Sequence, residues 1–240
     1  MTILVATGLH KEAGILRRPG IVVVAGGGDG ARLERELEAA AKDATAILSC
    51  GLAGALAPGL EAGDLVLGNL FPGEGRSPVG GPAQLDTGLR RGSDLFEVLR
   101  QYLAGAHVGT ITGSDKIVAS AAQKQALYET TGALAVDMES HLAARVAVRH
   151  NLPFAIIRVI SDSANEALPP AALVGMKPDG GMALGAVLAS LARNPAQLPA
   201  LIRTGIHAGR AFSALRRVGD VLGGLGVGLA DDLQLPLDMR

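Results

Sequence analysis

The 240-residue sequence predicts an α/β fold, and three observations carry that prediction. Short aliphatic and β-branched runs alternate with stretches of helical composition, the order expected of strands and helices packed in layers. The strand-like runs are apolar nearly throughout rather than at every second position, which suits strands covered on both faces. Hydrophobic residues make up 48% of the chain but aromatics only 2%, so the core must be built from Ala, Val, Leu and Ile.

In chain order, strands are expected at Ile3–Thr7, Ile21–Ala25, Thr45–Ser49, Asp64–Leu70, His107–Thr112, Ala133–Val136 and Pro153–Ile160. Ala31–Lys42, rich in Ala, Leu, Glu and Arg, is expected to be a helix, as is Asp94–Ala104 with its helical apolar spacing. Ser120–Tyr128 opens with Ser120 and Gln123, a pairing that caps a helix start reciprocally. Glu139–His150 follows a strand directly, and the Gly/Pro-rich Pro72–Pro82 reads as a surface loop. With no repeat and no low-complexity linker, residues 1–240 are expected to form one domain.

A formal charge of -1 gives no reason to expect nucleic acid as a partner. The single Cys50 excludes an internal disulfide and a cysteine-rich metal site, and the five histidines show no zinc-binding spacing, so no metal is expected. Met1–Gly14 lacks the ordered basic and apolar regions of a secretory signal, and no run reaches the roughly 18 apolar residues of a spanning helix. The expected location is the cytoplasm. G-x-S-x-G and G-x-x-x-x-G-K-[ST] are absent, which argues against a serine hydrolase of that type and a nucleotide triphosphatase.

Two motifs carry the chemistry. V-D-M-E-S-H at Val136–His141 and R-V-I-S-D-S at Arg158–Ser163 each put a carboxylate, Glu139 or Asp162, just past a strand-like run. Ligands of open α/β sheets bind at the carboxyl ends of strands, so two acids delivered there from different strands can hold and protonate a polar small molecule.

These stretches resemble the purine nucleoside phosphorylase superfamily, its nucleosidase branch in particular. T-G-L-H-K-E-A at Thr7–Ala13 and S-C-G-L-A-G-A-L-A-P-G-L-E-A-G-D at Ser49–Asp64 extend the likeness over about Ile3 to Asn165. L-P-P-A-A-L-V-G-M-K-P-D-G at Leu168–Gly180 is similar to the hopanoid-biosynthesis-associated phosphorylase subgroup. The resemblance implies a three-layer α/β/α fold with a central mixed sheet, a homodimer, and release of adenine from an adenosine-type nucleoside. The subgroup implies adenosylhopane, a substrate with a bulky apolar 5′ group. A methylthioadenosine/S-adenosylhomocysteine nucleosidase is the alternative enzyme, and a non-catalytic nucleoside- or dinucleotide-binding protein the alternative of another class.

The roles implied are specific. Asp162 is the general acid that protonates purine N7, a step typically worth about 10²–10⁴-fold, and a dry pocket would keep it protonated. Ser161 helps fix that acid or the purine edge. Glu139 meets the ribose hydroxyls as oxocarbenium character develops, Met138 faces the sugar, and Glu12 positions or deprotonates the attacking water. Asp137 stands where the family carries a glutamate, and Leu52 where the nucleosidases carry a serine near the nucleophile.

Inorganic phosphate is the other candidate nucleophile; no further cofactor is expected. Gly26, Gly27 and Gly28, with Arg32 close behind, would bind it through free N–H groups at a helix start. The same run formally fits G-x-G-x-x-A, but no acid follows the next strand to take a ribose, so a dinucleotide site is poorly supported; a tight turn needing glycine is the plainer reading. His10 and Lys11 could likewise hold an anion or simply be solvated.

Gln197–Val218 has apolar residues at helical spacing, with Arg203, Arg210 and Arg217 recurring every seven residues. Such a helix would either lie on an anionic membrane surface, making the protein peripheral at the inner face of the cytoplasmic membrane, or pack its apolar face on the domain.

Overall fold

The structure is a computed structural model that describes residues 2–70, 89–174 and 183–232. Seven strands, β1 (Ile3–Thr7), β2 (Ile21–Ala25), β3 (Ala46–Ala55), β4 (Leu65–Leu70), β5 (His107–Gly113), β6 (Ala135–Asp137) and β7 (Phe154–Asp162), form one mixed sheet. The helices are α1 (His10–Leu16), α2 (Gly30–Ala40), α3 (Leu89–Tyr102), α4 (Ala121–Thr131), α5 (Ser140–Arg149), α6 (Pro170–Leu173), α7 (Leu184–Arg193) and α8 (Leu198–Asp232). The expected loop at Pro72–Pro82 and residues 175–180 of the Leu168–Gly180 run lie outside the described residues.

Strand alternation sorts side chains between the layers. Ile3 and Val5 of β1 face one core with Leu16, Leu95, Leu99 and Leu215, from α1, α3 and α8. Leu4 and Ala6 face the opposite core with Leu33 and Leu37 of α2 and Leu142 and Val146 of α5. Helices therefore cover both faces, as expected.

The sheet also curls. β3 pairs with β6, β6 with β5, β5 with β4, β4 with β7, and β7 again with β3, so five strands close a ring from which β1 and β2 extend. Ala53, Ala55, Val66, Ile111, Ala135, Ile156 and Ile160 cluster together, with at least one residue from each of the five strands. A five-stranded ring is narrow, and small or aliphatic side chains are what can fill it. The near absence of aromatics has its reason here.

Closure depends on β3 being longer than expected. Thr45–Ser49 covers only its first half; the strand continues through Gly51 and Gly54 to Ala55. The first half pairs with β1, the last two residues with β6, and nearly its whole length with β7. A bulge shifts the register from Ala53 opposite Ile160 to Gly54 opposite Asp162, leaving Ser161 as the extra residue.

The predicted amphipathic helix exists but divides along its length. From Ala211 onward α8 buries Ala211, Phe212, Ala214, Leu215 and Val218 against the sheet. Among the described side chains, from Ala211 to Leu225, no large apolar one is left exposed, so the apolar face of this half is accounted for by packing on the domain and not by a membrane.

Candidate active site

Four turns and strand ends converge on β3. Glu12, in the first turn of α1, is buried and fully engaged: Oε2 accepts from Thr7 Oγ1 (2.6 Å) and the N–H groups of Gly8 (2.9 Å) and Leu9 (2.7 Å). Its Oε1 accepts from Leu52 N–H at 2.9 Å. The backbone of Leu52 thus binds Glu12 where a serine hydroxyl was the family expectation.

Arg158 lies opposite Gly51 on β7 and is completely buried. Its Nε donates to Asp137 Oδ2 at 2.6 Å, and Nη2 donates to Ser49 Oγ at 2.5 Å and Ser140 Oγ at 2.9 Å. Nη1 has no protein acceptor. Gly51 is what lets the strand pass beneath: a Cβ there would meet Arg158 Nη1 at 2.9 Å, Thr7 Oγ1 at 3.0 Å and Glu12 Oε2 at 3.1 Å.

Asp137 ends β6, which runs antiparallel to β3 and so returns toward the strand's middle. Besides Arg158 it accepts from the N–H groups of Glu139 (2.9 Å) and Ser140 (2.7 Å) and from Ser140 Oγ. It is a positioning residue, fixing the turn that presents Glu139. Glu139 Oε2 lies 3.8 Å from Arg158 Nη2. A Cβ on Gly8 would lie 2.8 Å from Glu139 Oε1 and 3.4 Å from Glu12 Oε2, so the two acids flank one backbone position. Burial pushes the Glu139 carboxyl up to about 8; Arg158 opposes that rise, while Asp137 and Glu12 add to it.

Asp162 sits farther along, beside Gly54, whose missing Cβ would lie 3.1 Å from Oδ2. Gly51 and Gly54 are about 10 Å apart along an extended strand, a nucleoside's length. Ser161, displaced by the bulge, places its hydroxyl 2.5 Å from Asp162 Oδ1 and 3.1 Å from Ala53 O, with one proton to give to either. The other oxygen does not see the dry, apolar pocket expected from the sequence. Lys124 of α4, fully buried, brings Nζ within 2.5 Å of Oδ2 and also donates to Ser163 O (2.7 Å) and Glu166 O (2.9 Å). The acid is set in a charged, hydrogen-bonded pair because an unpaired lysine could not be buried here.

Met138 and Glu139 line a cleft of about 360 Å³ together with Gly26, Gly28, Asp29, Asp115 and Arg145. The phosphate expected at Gly26–Gly28 and Arg32 fits this arrangement poorly. Gly26 N–H donates to Thr7 O, Gly27 N–H to Gly8 O and Asp29 N–H to Gly26 O. Arg32 Nη2 donates to the carbonyls of Ala25 and Gly26. Asp29, Glu34, Asp115 and Glu139 line the cleft against one arginine, and Arg145 already pairs with Glu34 at 3.0 Å. Gly27 (φ 60°) and Gly28 (φ 85°) are left-handed, so the tight-turn reading explains these glycines. Lys11 Nζ lies 3.9 Å over the Phe212 ring, committed to packing α1 on α8.

Cys50, next to Gly51, is buried, and desolvation pushes its thiol up to about 12, which leaves no thiolate for nucleophilic work. No group of three His, Cys, Asp or Glu suited to a metal ion occurs among the described residues. Lys124, Arg158 and Asp137 as a supporting shell escaped the sequence reading. A lysine in an Ala/Gln-rich helix carries no local sign of burial; Arg158 did carry one, standing inside the all-apolar run of β7.

Residues 12–198 match the Phosphorylase superfamily. The chain belongs to that family. A 5′-methylthioadenosine/S-adenosylhomocysteine nucleosidase of Staphylococcus aureus is 28% identical over 130 residues, 50% of this chain and 57% of that protein. The chain thus spans little more than half the length of the curated relatives it matches. A solved structure of a putative methylthioadenosine nucleosidase from Weissella paramesenteroides superposes with a TM-score of 0.61 at 21% identity, covering 95% of this chain and 98% of the other. The Streptococcus pneumoniae MTA/SAH nucleosidase in complex with 8-aminoadenine gives 0.55 at 21% identity, covering 80% and 99%. At these identities the superpositions establish a shared fold.

Proposed function

We propose that this superfamily member cleaves the N-glycosidic bond of an adenosine-type nucleoside and releases adenine. The observation that carries this reading is the row along β3: Arg158 and Glu12 at Gly51, with Glu139 3.8 Å from Arg158, and Asp162 at Gly54. Asp162 takes up a proton before the step, delivers it to purine N7 as the bond to the ribosyl carbon breaks, and is left as the carboxylate paired with Lys124 and held by Ser161. The ribosyl carbon gains oxocarbenium character, which the Glu139 carboxylate offsets while holding the ribose hydroxyls. Water completes the exchange, its oxygen bonding to that carbon and its proton passing to a nearby carboxylate. Arg158 Nη1 is a donor able to orient that water, with Glu12 beside it. The N–H groups of Gly26 and Gly27, already bonded to the Thr7 and Gly8 carbonyls, favour water over phosphate.

The finer proposal is a bulky, apolar 5′ group, as in adenosylhopane. Its support is the Leu168–Gly180 sequence, whose described start is tied to the segment before α4: Leu168 N–H donates to Ala119 O at 2.9 Å, and α6 follows. The second reading, a methylthioadenosine/S-adenosylhomocysteine nucleosidase, is favoured by the curated relatives.

Adenine release from methylthioadenosine and from adenosylhopane, each with and without phosphate, separates these readings. Free reducing sugar at a rate indifferent to phosphate supports hydrolysis; a sugar 1-phosphate overturns it. Asp162→Asn is expected to keep nucleoside binding and lower turnover at least about 10²-fold. Turnover near wild type would remove Asp162 from the chemistry.

A further inference from the structure

The first half of α8 and all of α7 present an apolar surface that nothing in the described chain covers. α7 carries Leu184, Val187, Leu188 and Leu191 with no charged residue before Arg193, yet it buries no residue. Leu184 is 63% exposed and Leu188 66%. On α8 the residues Leu198, Ile202 and Ile206, spaced one turn apart, are 46%, 55% and 54% exposed. A helix apolar on every face is ordinarily buried. This one is nevertheless held in a defined place. Gln197 Oε1 accepts from Ala171 N–H at 2.9 Å, and its Nε2 donates to Ser190 O at 2.8 Å and Ser190 Oγ at 3.0 Å, tying α6, α7 and the start of α8 together.

Charge decides what covers the face. From Ala167 to Gly219 the sequence has Lys177, Arg193, Arg203, Arg210, Arg216 and Arg217 against one acid, Asp179, in a chain whose formal charge is -1. Arg210 and Arg217 follow Ile206 along the same exposed side of α8 at four and eleven residues' distance and make none of the ion pairs seen at Arg203, which is held by Glu166 at 3.0 Å. A second copy of this chain docked by two-fold symmetry would set this basic segment against itself. The homodimer implied by the family resemblance would therefore have to use another face. The exposed residues are aliphatic, without the aromatic anchors common in protein interfaces.

We infer that α7 and the first half of α8 form a docking surface for an anionic lipid bilayer, with Leu184, Leu188, Ile202 and Ile206 entering the acyl boundary and Arg210 and Arg217 at the headgroups. This is peripheral contact, since no helix among the described residues is long and apolar enough to cross a membrane. It stands independently of the reaction proposed above.

Co-sedimentation of the full chain with phosphatidylcholine vesicles, with and without phosphatidylglycerol, tests it. Binding is expected only to the anionic vesicles and is expected to weaken as salt rises. Arg210→Gln with Arg217→Gln should weaken it roughly thirtyfold. Leu188→Asp with Ile202→Asp should abolish it while the circular dichroism spectrum and thermal midpoint stay unchanged, as both sites are exposed. No binding to anionic vesicles, or binding that neither double variant changes, overturns the inference. So does a wild-type dimer that the aspartate variant dissociates without any vesicle binding, which would give the face to a second copy.

Discussion

At Glu139, desolvation outweighs the nearby Arg158 and lifts the carboxyl to about 8. In the free protein at neutral pH the group is therefore largely protonated, and only its ionised form can offset an oxocarbenium charge. Its ionisation should make kcat/KM rise with pH, about tenfold per unit, and level off near 8. Glu139→Gln should remove that limb and lower the plateau. A profile flat from pH 6 upward would separate Glu139 from the rate. Lys124 makes a different case. Removing its charge by Lys124→Met leaves Asp162 facing the site without its buried partner, at a cost of about 3–5 kcal/mol, read by chemical denaturation. Glu12→Gln replaces one acceptor oxygen with an NH₂ among four donors, and an unfolding loss of about 1–3 kcal/mol is expected.

Two elements show how position on a strand or helix becomes function. β3 can run beneath Arg158 and Asp162 only because Gly51 and Gly54 lack side chains. Gly51→Ala puts a methyl 2.9 Å from Nη1 of a guanidinium that Asp137 and two serines fix through its other two nitrogens. The guanidinium cannot yield cheaply, so adenine release should fall at least about tenfold, with a stability loss of about 1–3 kcal/mol. α8 changes character along its axis. Leu215→Ala, in the packed half, should cost about 2–5 kcal/mol, whereas Ile202→Ala should fall within about 0.5 kcal/mol of wild type. Equal losses at the two sites in denaturant unfolding would mean that the first half is packed as well.

Across the whole molecule, burial and pairing set opposite pH dependences. Arg145 and Arg149 hold Glu34 below its ordinary range, and His150 and Arg149 do the same for Glu38. The stability these acids contribute is present above their ordinary value and is lost as pH falls through the lowered one. Glu139 has the reverse sign. Its carboxyl is raised, so its contribution is full below about 4.5 and is lost progressively as pH climbs toward about 8. Wild type should therefore lose stability relative to Glu139→Gln over that window, a difference that denaturation at several pH values measures directly. A difference independent of pH would mean that Glu139 ionises as an exposed acid does.

Local patterning was enough to find every strand. Continuous aliphatic runs mark strands buried on both faces, and Ser120 with Gln123 marked the start of α4, where the structure has the reciprocal cap. The motif residues Glu139 and Asp162 were legible because two carboxylates fall just past apolar runs, in stretches that resemble a known family's motifs. Three things were decided only by tertiary structure. Gly51 and Gly54 fell outside the strand expected at Thr45–Ser49, since the close approach of Arg158 and Asp162 that requires them comes from β7, about a hundred residues away. The glycine loop read as an anion cradle, because whether an N–H group is free depends on where the Thr7 and Gly8 carbonyls lie. The surroundings of Asp162 read as dry, because the burial of Lys124 exists only once α4 packs beside β7. Periodicity reports which face of an element is apolar; what that face meets is settled by contacts between residues far apart in the chain.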